Sequence, residues 1–437
     1  MKNSKYNAVI ASGIGTFVEW YDFFLYGTAS ALVFNKLFFP QFDPRVGTLL
    51  SLLTYASGFL ARPLGGLISG HFGDRIGRKK VLLATLFVMG IATFLIGLVP
   101  TYATIGIWGA VILVLLRVVQ GFSAGGEWSG ALVLVAESVK HEKLGLWGSV
   151  LPAVNQVAFL AGAFVLIIVN HYVSEEQFFS WGWRVPFLLS AVIVGIGVYI
   201  RLRVEESPEF LEVQRKNEIE SAPVTQVFKG PRNVLAVMAI RIGENTFYYT
   251  VSVFAISYSV VVLNVSRSIV LDAITLGAAF AVVGSLIGGL LADRFGARAV
   301  MLVGFVFQLV WILPFFLLYE TRQPLLMTLA TAVAIVMVVS AVDAPQAKLM
   351  TPLFPARLRY SGVAAGREVA TIVGGLTPAI ATALMSINST PWLFAGFLLV
   401  CSLLGLAGLL IARPAVIEKS AGRDSVTTLD SLPPVPN

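Results

Sequence analysis

The stretch GHFGDRIGRK at residues 70–79 returns half a chain later as GLLADRFGAR at residues 289–298. Aligned, Gly70 pairs with Gly289, Asp74 with Asp293, Arg75 with Arg294 and Gly77 with Gly296, each 219 residues apart. Both copies are short and charged, and each lies between apolar runs of about 20 residues, the length that crosses a hydrocarbon core as a helix. A chain that repeats one charged loop between matching apolar segments is built as two similar halves.

Working outward, 57% of the 437 residues are hydrophobic and 13% are charged, with a mean hydropathy of +0.83. A soluble protein of this length carries about a quarter charged residues. The expected class is therefore an all-α integral membrane protein. Helical runs fall at about 8–34, 46–69, 81–100, 107–137, 145–169, 183–202, 233–262, 268–291, 299–319, 324–350, 363–386 and 391–412, twelve transmembrane helices in two pseudo-symmetric six-helix halves. Of the Lys and Arg residues, Lys36, Arg45, Arg184, Arg267 and Arg322 fall in loops on one side, and Arg62, Arg117, Arg241, Lys348 and Arg367 fall within spans. All the others lie on the side that holds both termini, which the positive-inside rule makes cytoplasmic. Residues 1–7 precede the first helix without a cleavage pattern, so no signal peptide is expected to be removed.

The one long hydrophilic interruption, RLRVEESPEFLEVQRKNEIESAPVTQVFKGPR at 201–232, divides the spans six and six. Within it Ser207-Pro208-Glu209 reads as an N-cap, a first-turn proline and a dipole-compensating acid, so a short surface helix is expected. The expected organisation is an N-terminal half at 1–202, a cytoplasmic linker at 203–232, a C-terminal half at 233–412 and a disordered cytoplasmic tail at 413–437.

Several functions are excluded. The net charge of +7 is explained by loop topology and implies no nucleic acid. His71, His141 and His171 sit in or beside loops with no metal spacing, and no GxxxxGK[ST], HExxH or GxSxG pattern is present. Neither a metal, an ATP-driven mechanism nor an enzyme is indicated. Cys401 stands alone and can form no internal disulfide.

Charge inside the spans is the remaining signal. Gly15, Glu19, Asp22 and Tyr26 share a face of helix 1; Arg117, Gln120, Ala124 and Glu127 share one of helix 4; Arg241, Glu244 and Tyr248 share one of helix 7. Lipid cannot solvate such stripes, so each faces the bundle interior or a wet cavity. Two readings stay open for them. In one, Tyr26, Arg117, Gln120, Arg241, Glu244 and Tyr248 bind an anionic substrate while Asp22, Glu19 or Glu127 carries a coupled proton, Asp22 being preferred. In the other, the charges are structural ion pairs; Arg241 and Glu244 neutralise each other, and Asp343, Lys348, Arg367 and Glu368 find partners on other helices.

Taken together, GxxxDRxGRK, its degenerate copy and Arg117-Val-Val-Gln120-Gly121 resemble the major facilitator superfamily. EWYDFFLYG (19–27), ASALVFNKLFFPQF (29–42), RPLGG (62–66), GGEWSGA (125–131), SWGWRVPF (180–187) and RYSG (359–362) are similar to its metabolite:proton symporters, which carry shikimate, α-ketoglutarate, citrate or proline and betaine, with a lean toward shikimate-type members. The resemblance implies a monomeric carrier in the bacterial inner membrane that needs no cofactor beyond the coupling proton. It also implies cytoplasmic gating contacts by Asp74, Arg75, Arg78 and Glu137, with Asp293 and Arg294 as the second copy. The chain departs from the family at Lys348, at Thr351-Pro352 and at Arg367-Glu368, where relatives often place an aromatic residue and an amide. Expected is proton-coupled uptake of a small organic anion. The alternatives are a proton/drug antiporter, for which helix 5 lacks the usual GP-rich signature, an osmolyte symporter, and a sensor that binds without flux.

Overall fold

The computed structural model of the chain describes residues 4–388 and 390–414, so the expected disordered tail lies outside the described residues from position 415 onward. Among them are twelve long helices and no strand: α1 Ser4–Ala29, α2 Pro44–Ile76, α3 Arg78–Leu98, α4 Trp108–Ser138, α5 Val150–Tyr172, α6 Val185–Leu202, α7 Arg232–Tyr249, α8 Arg267–Phe295, α9 Ala297–Glu320, α10 Pro324–Met337, α11 Arg359–Asn388 and α12 Trp392–Ile411. Wider-wound turns extend α1 through Ser30–Phe34, α7 through Thr250–Phe254 and α10 through Val338–Asp343.

Ten of these helices, with their flanking turns, are long and apolar enough to cross a membrane on their own terms; α2 and α7 are not in that set. The shortfall has a cause. Helix α2 carries Arg62 and ends in the charged loop motif, and α7 carries Arg241, Glu244 and Asn245. Their polar side chains are buried against other helices, so the bundle solvates what lipid would not. The outside is inverted accordingly: Phe164, Ile167, Phe280, Val303 and Val400 are exposed, as befits a surface facing acyl chains.

Helices α2 and α11 pack across the two halves, and so do α5 and α8. A shift of six helices converts one contact into the other, the relation that a duplicated fold requires. Within the first half, α2 and α4 meet backbone to backbone, since a Cβ on Gly121 would lie 2.1 Å from the Gly58 carbonyl oxygen. The repeated loop reduces to one residue of unusual backbone in each copy. Gly77 (φ 110°) joins α2 to α3, and Gly296 (φ 87°) joins α8 to α9, a conformation open to glycine and strained in other residues. On the cytoplasmic side Ser207 accepts from the Phe210 amide at 3.2 Å and starts the linker helix Pro208–Arg215; a second linker helix follows at Pro223–Lys229.

The Gly121 contact yields a test. Gly121→Val is expected to lower the folded yield in detergent and the unfolding temperature by several degrees, whereas Gly195→Ala, with open space around the new methyl group, should leave both unchanged.

Candidate functional site

The charged side chains converge between the halves. A cavity of about 10 Å³, room for roughly one water, is lined by Glu19, Trp20, Phe23, Arg62, Arg241, Asn245, Tyr249, Arg367 and Thr371, from α1, α2, α7 and α11. Arg62 is its hub. The Arg62 guanidinium reaches Glu19 at 2.8 Å through one terminal nitrogen and Glu368 at 2.9 Å through Nε. Arg367 closes the chain at 2.7 Å from the other Glu368 oxygen and stacks over the Trp128 ring with Cζ 3.3 Å from its centroid. Arg241 pairs with Glu244 at 2.7 Å and Asp343 at 3.3 Å, and donates to Gln346 at 3.1 Å and Asn245 at 2.8 Å.

A second group lies deeper in the first half. The Arg117 guanidinium is enclosed by the rings of Phe23, Tyr26 and Tyr55, with Cζ 4.3, 4.5 and 4.8 Å from their centroids. It donates to Gln120 Oε1 at 2.6 Å, makes no ion pair among the described residues, and its Nη2 has no hydrogen-bond partner. Gln120 donates to the Thr93 hydroxyl at 2.7 Å, and that hydroxyl contacts both the Met89 carbonyl, at 2.9 Å, and a carboxylate oxygen of Asp22. Tyr26 spends its own hydroxyl on Thr54 at 2.9 Å and meets Arg117 with its face.

Six residues that the sequence placed in the cavity stripes therefore fall in three different settings. Glu19, Arg241 and Glu244 belong to the central charge cluster, and Asp22, Tyr26, Arg117 and Gln120 to the caged-arginine group. Glu127 sits elsewhere, in a buried ion pair with Arg201 and a 3.0 Å hydrogen bond from Thr85. Tyr248 accepts from Gln156 of α5 at 3.5 Å, a contact between the halves. One geometric expectation is corrected: Arg367 and Glu368, adjacent in sequence and expected to point apart, bond to each other because the long arginine stem curls back. Arg201 was read as a loop cation that sets topology, yet it is 3% exposed and neutralises Glu127; its place at the very end of an apolar run gave no hint. Thr93 and Trp128 were also missed, since an uncharged residue in an apolar helix gives no signal in sequence.

The repeated loops close the cytoplasmic face by the same device twice. Asp74 accepts from the Tyr360 and Ser361 amides at 3.3 and 2.9 Å, at the N-terminus of α11. Asp293 accepts from the Gly145 and Leu146 amides at 2.7 and 2.8 Å, at the start of the short helix Leu144–Gly148 that leads into α5. Each aspartate thus caps a helix of the opposite half, where the dipole favours an anion. Arg78 adds ion pairs to Asp74 and Glu137, both at 3.1 Å, and Arg359 of the second half reaches Glu137 at 3.1 Å and Glu209 of the linker helix. Lys348 holds Asp293 at 2.6 Å. Arg75 and Arg294 take no part: both are exposed, Arg75 beside His71 at 3.4 Å and Arg294 over the Phe295 ring. They have not joined the gate because the side chains one turn from the caps point to the aqueous surface.

With this geometry in hand, sequence comparison matches residues 7–240 to the family described as "Sugar (and other) transporter" and residues 245–433 to the "Major Facilitator Superfamily". The chain is 38% identical to the shikimate transporter of Escherichia coli (strain K12) over 95% of both chains. It is 34% identical to the proline/betaine transporter of Salmonella typhimurium over 91% of this chain and 81% of that one. Among solved structures, the proton:xylose symporter XylE with 6-bromo-6-deoxy-D-glucose bound superposes with a TM-score of 0.75 over 94% of this chain and 95% of the other, at 15% identity, a likeness of fold alone.

The two helix caps predict that Asp74→Asn or Asp293→Asn each loosens the cytoplasmic closure. A capping charge is worth about 0.3–2 kcal/mol, so opening should rise about 2- to 30-fold. In a Cys401→Ser background, a cysteine at Ala347, which packs against Gly148 beside the second cap, should react faster with a maleimide supplied from the cytoplasmic side by that factor.

Proposed function

This chain belongs to the major facilitator superfamily, a family of transporters and not of enzymes, and from that premise we propose that it is a proton-coupled symporter. Its substrate is a small organic anion of the shikimate or di- and tricarboxylate type, carried into the cell across a bacterial inner membrane by alternating access of the two halves. The observation that carries this reading is the caged Arg117. Arginine keeps its charge at any physiological pH, and burying an ion costs several kcal/mol. Three ring faces return about 0.5–2 kcal/mol each, and the free Nη2 leaves one donor unused. A substrate carboxylate supplies the missing charge and the missing acceptor together.

The same cage weighs against the osmolyte reading suggested by the proline/betaine relatives. Phe23, Tyr26 and Tyr55 form the kind of aromatic box that accepts a quaternary ammonium, but Arg117 already fills it.

For the proton, Thr93 offers a count. Its hydroxyl has one hydrogen to give, and Gln120, the Met89 carbonyl and Asp22 all lie against its oxygen. With Asp22 protonated, Asp22 donates to Thr93 and Thr93 donates to Met89; with Asp22 ionised, Thr93 turns its hydrogen to Asp22 and gives up Met89. Either state is accommodated by one hydroxyl rotation, which suits a group that loads and unloads a proton each cycle. Asp22 makes no ion pair among the described residues, unlike Glu19, Glu127, Glu244 and Asp343.

Reconstituted protein should accumulate radiolabelled shikimate, α-ketoglutarate or citrate when an inward proton gradient is imposed, and betaine should not compete. Gradient-stimulated uptake of betaine alone would replace the anion with a zwitterion; no stimulation by any of the four would end the symport reading. Arg117→Ala should abolish binding of the transported anion. Asp22→Asn should lower proton-driven accumulation at least tenfold while sparing counterflow, and equal loss of both would remove Asp22 from the coupling role.

A further inference from the structure

Arg367-Glu368, a departure from the family pattern that the proposed function leaves unused, is the feature that leads further. We propose that Glu368 is a built-in stand-in for the substrate's carboxylate: in the empty carrier it occupies a pair of guanidiniums, Arg62 of one half and Arg367 of the other, and a carboxylate entering the central cavity displaces it. This rests on the reading of the chain as an anion transporter and names a subsite for that anion.

The geometry is that of a bound carboxylate. One Glu368 oxygen lies 2.9 Å from Arg62 Nε and the other 2.7 Å from an Arg367 terminal nitrogen, so a single carboxylate spans two cations from opposite halves. The side chains are 0, 6 and 3% exposed for Glu368, Arg62 and Arg367. Both arginines line the central cavity, whereas Glu368 does not and sits behind them. Each guanidinium therefore has one side turned to Glu368 and another to the space a substrate would enter. On the cavity side, Arg367 Nε, Arg241 Nε and Asn245 Nδ2 are buried donors without partners among the described residues, a set that an acceptor-rich group would satisfy.

Charge balance decides between addition and displacement. Arg62 and Arg367 are matched by Glu19 and Glu368, so the group is neutral as it stands. A further carboxylate added to it would place an unbalanced charge in a low-dielectric core, which costs several kcal/mol. Exchange with Glu368 keeps the arginines paired throughout. The converse matters to a carrier that must return empty: without Glu368, two bare guanidiniums would face each other between the halves, and the return step would be the one that suffers. Glu368 thus lowers apparent affinity and permits the empty carrier to reorient.

A lock that merely holds the halves together predicts something different, because its loss would act alike on every ligand. Binding of shikimate and of its uncharged methyl ester to purified wild-type, Glu368→Gln and Glu368→Asp protein separates the two. Glu368→Gln should bind shikimate at least fivefold more tightly and the ester within twofold of wild type; counterflow should persist while net uptake falls at least tenfold. Glu368→Asp keeps the charge but is too short to span both arginines, so it should gain affinity for the acid by a smaller factor, and it decides the matter if Glu368→Gln does not fold. Equal or weaker acid binding in the variant, or an equal gain for acid and ester, overturns the inference and leaves anion transport standing. Wild-type protein that binds none of shikimate, α-ketoglutarate and citrate overturns the anion reading and this inference with it.

Discussion

A guanidinium cannot shed its charge in hydrocarbon, and the arrangement of this molecule follows from that constraint. Arg62, Arg117, Arg201, Arg241 and Arg367 are all 5% exposed or less, on five different helices. Four of them are met by carboxylates from another helix or from their own, and the fifth by ring faces. Each arginine therefore fixes the rotation of its helix: turning α2 about its axis would strand Arg62 in lipid and leave Glu19 and Glu368 unmatched. Two helices too polar to cross a membrane alone, α2 and α7, are held in the bundle by these pairs.

The same constraint divides the charges by depth. At the cytoplasmic ends, where water is near, the interactions are helix caps and partly exposed pairs such as Arg359 with Glu209, whose acid is 42% exposed. Midway through the membrane the pairs are dry. Duplication supplied both gates with an aspartate cap, but the two are not identical. Asp74 is backed by Arg78, which is itself shared with Glu137, and Asp293 by Lys348, a compact point charge from the end of α10. Arginine's fork ties the first gate into a network that includes the linker helix, while the second stands on one pair.

Sequence made the fold legible because lipid imposes a simple rule, about 20 apolar residues per crossing, and the repeated loop marked the halves independently. The candidate site was legible in outline for a related reason: a charge within a span announces itself. What the sequence could not show was pairing. Helical periodicity places Glu19 and Asp22 on one face, yet the 60° between them sends Glu19 to Arg62 of α2 and Asp22 to Thr93 of α3. The same face holds Gly15, where a Cβ would strike the Glu127–Arg201 pair. Arg201 was lost in the loop count because its stem reaches back into the membrane from a helix end, a movement that depends on chain length and not on position.

The magnitudes also say where control of the cycle resides. A carrier must make its inward- and outward-facing forms close in free energy, or one of them never appears. Helix caps at about 0.3–2 kcal/mol each are small enough to be broken and remade at every turnover. Leaving a buried arginine or carboxylate unpaired costs about 3–5 kcal/mol, more than such a cycle tolerates. The gates can therefore report the state of the core but cannot override it. Whatever changes the pairing of Arg62, Arg117 and Arg367, whether a substrate carboxylate, a proton or a displaced side chain, sets which way the halves lean, because it acts on the terms too large to leave unbalanced.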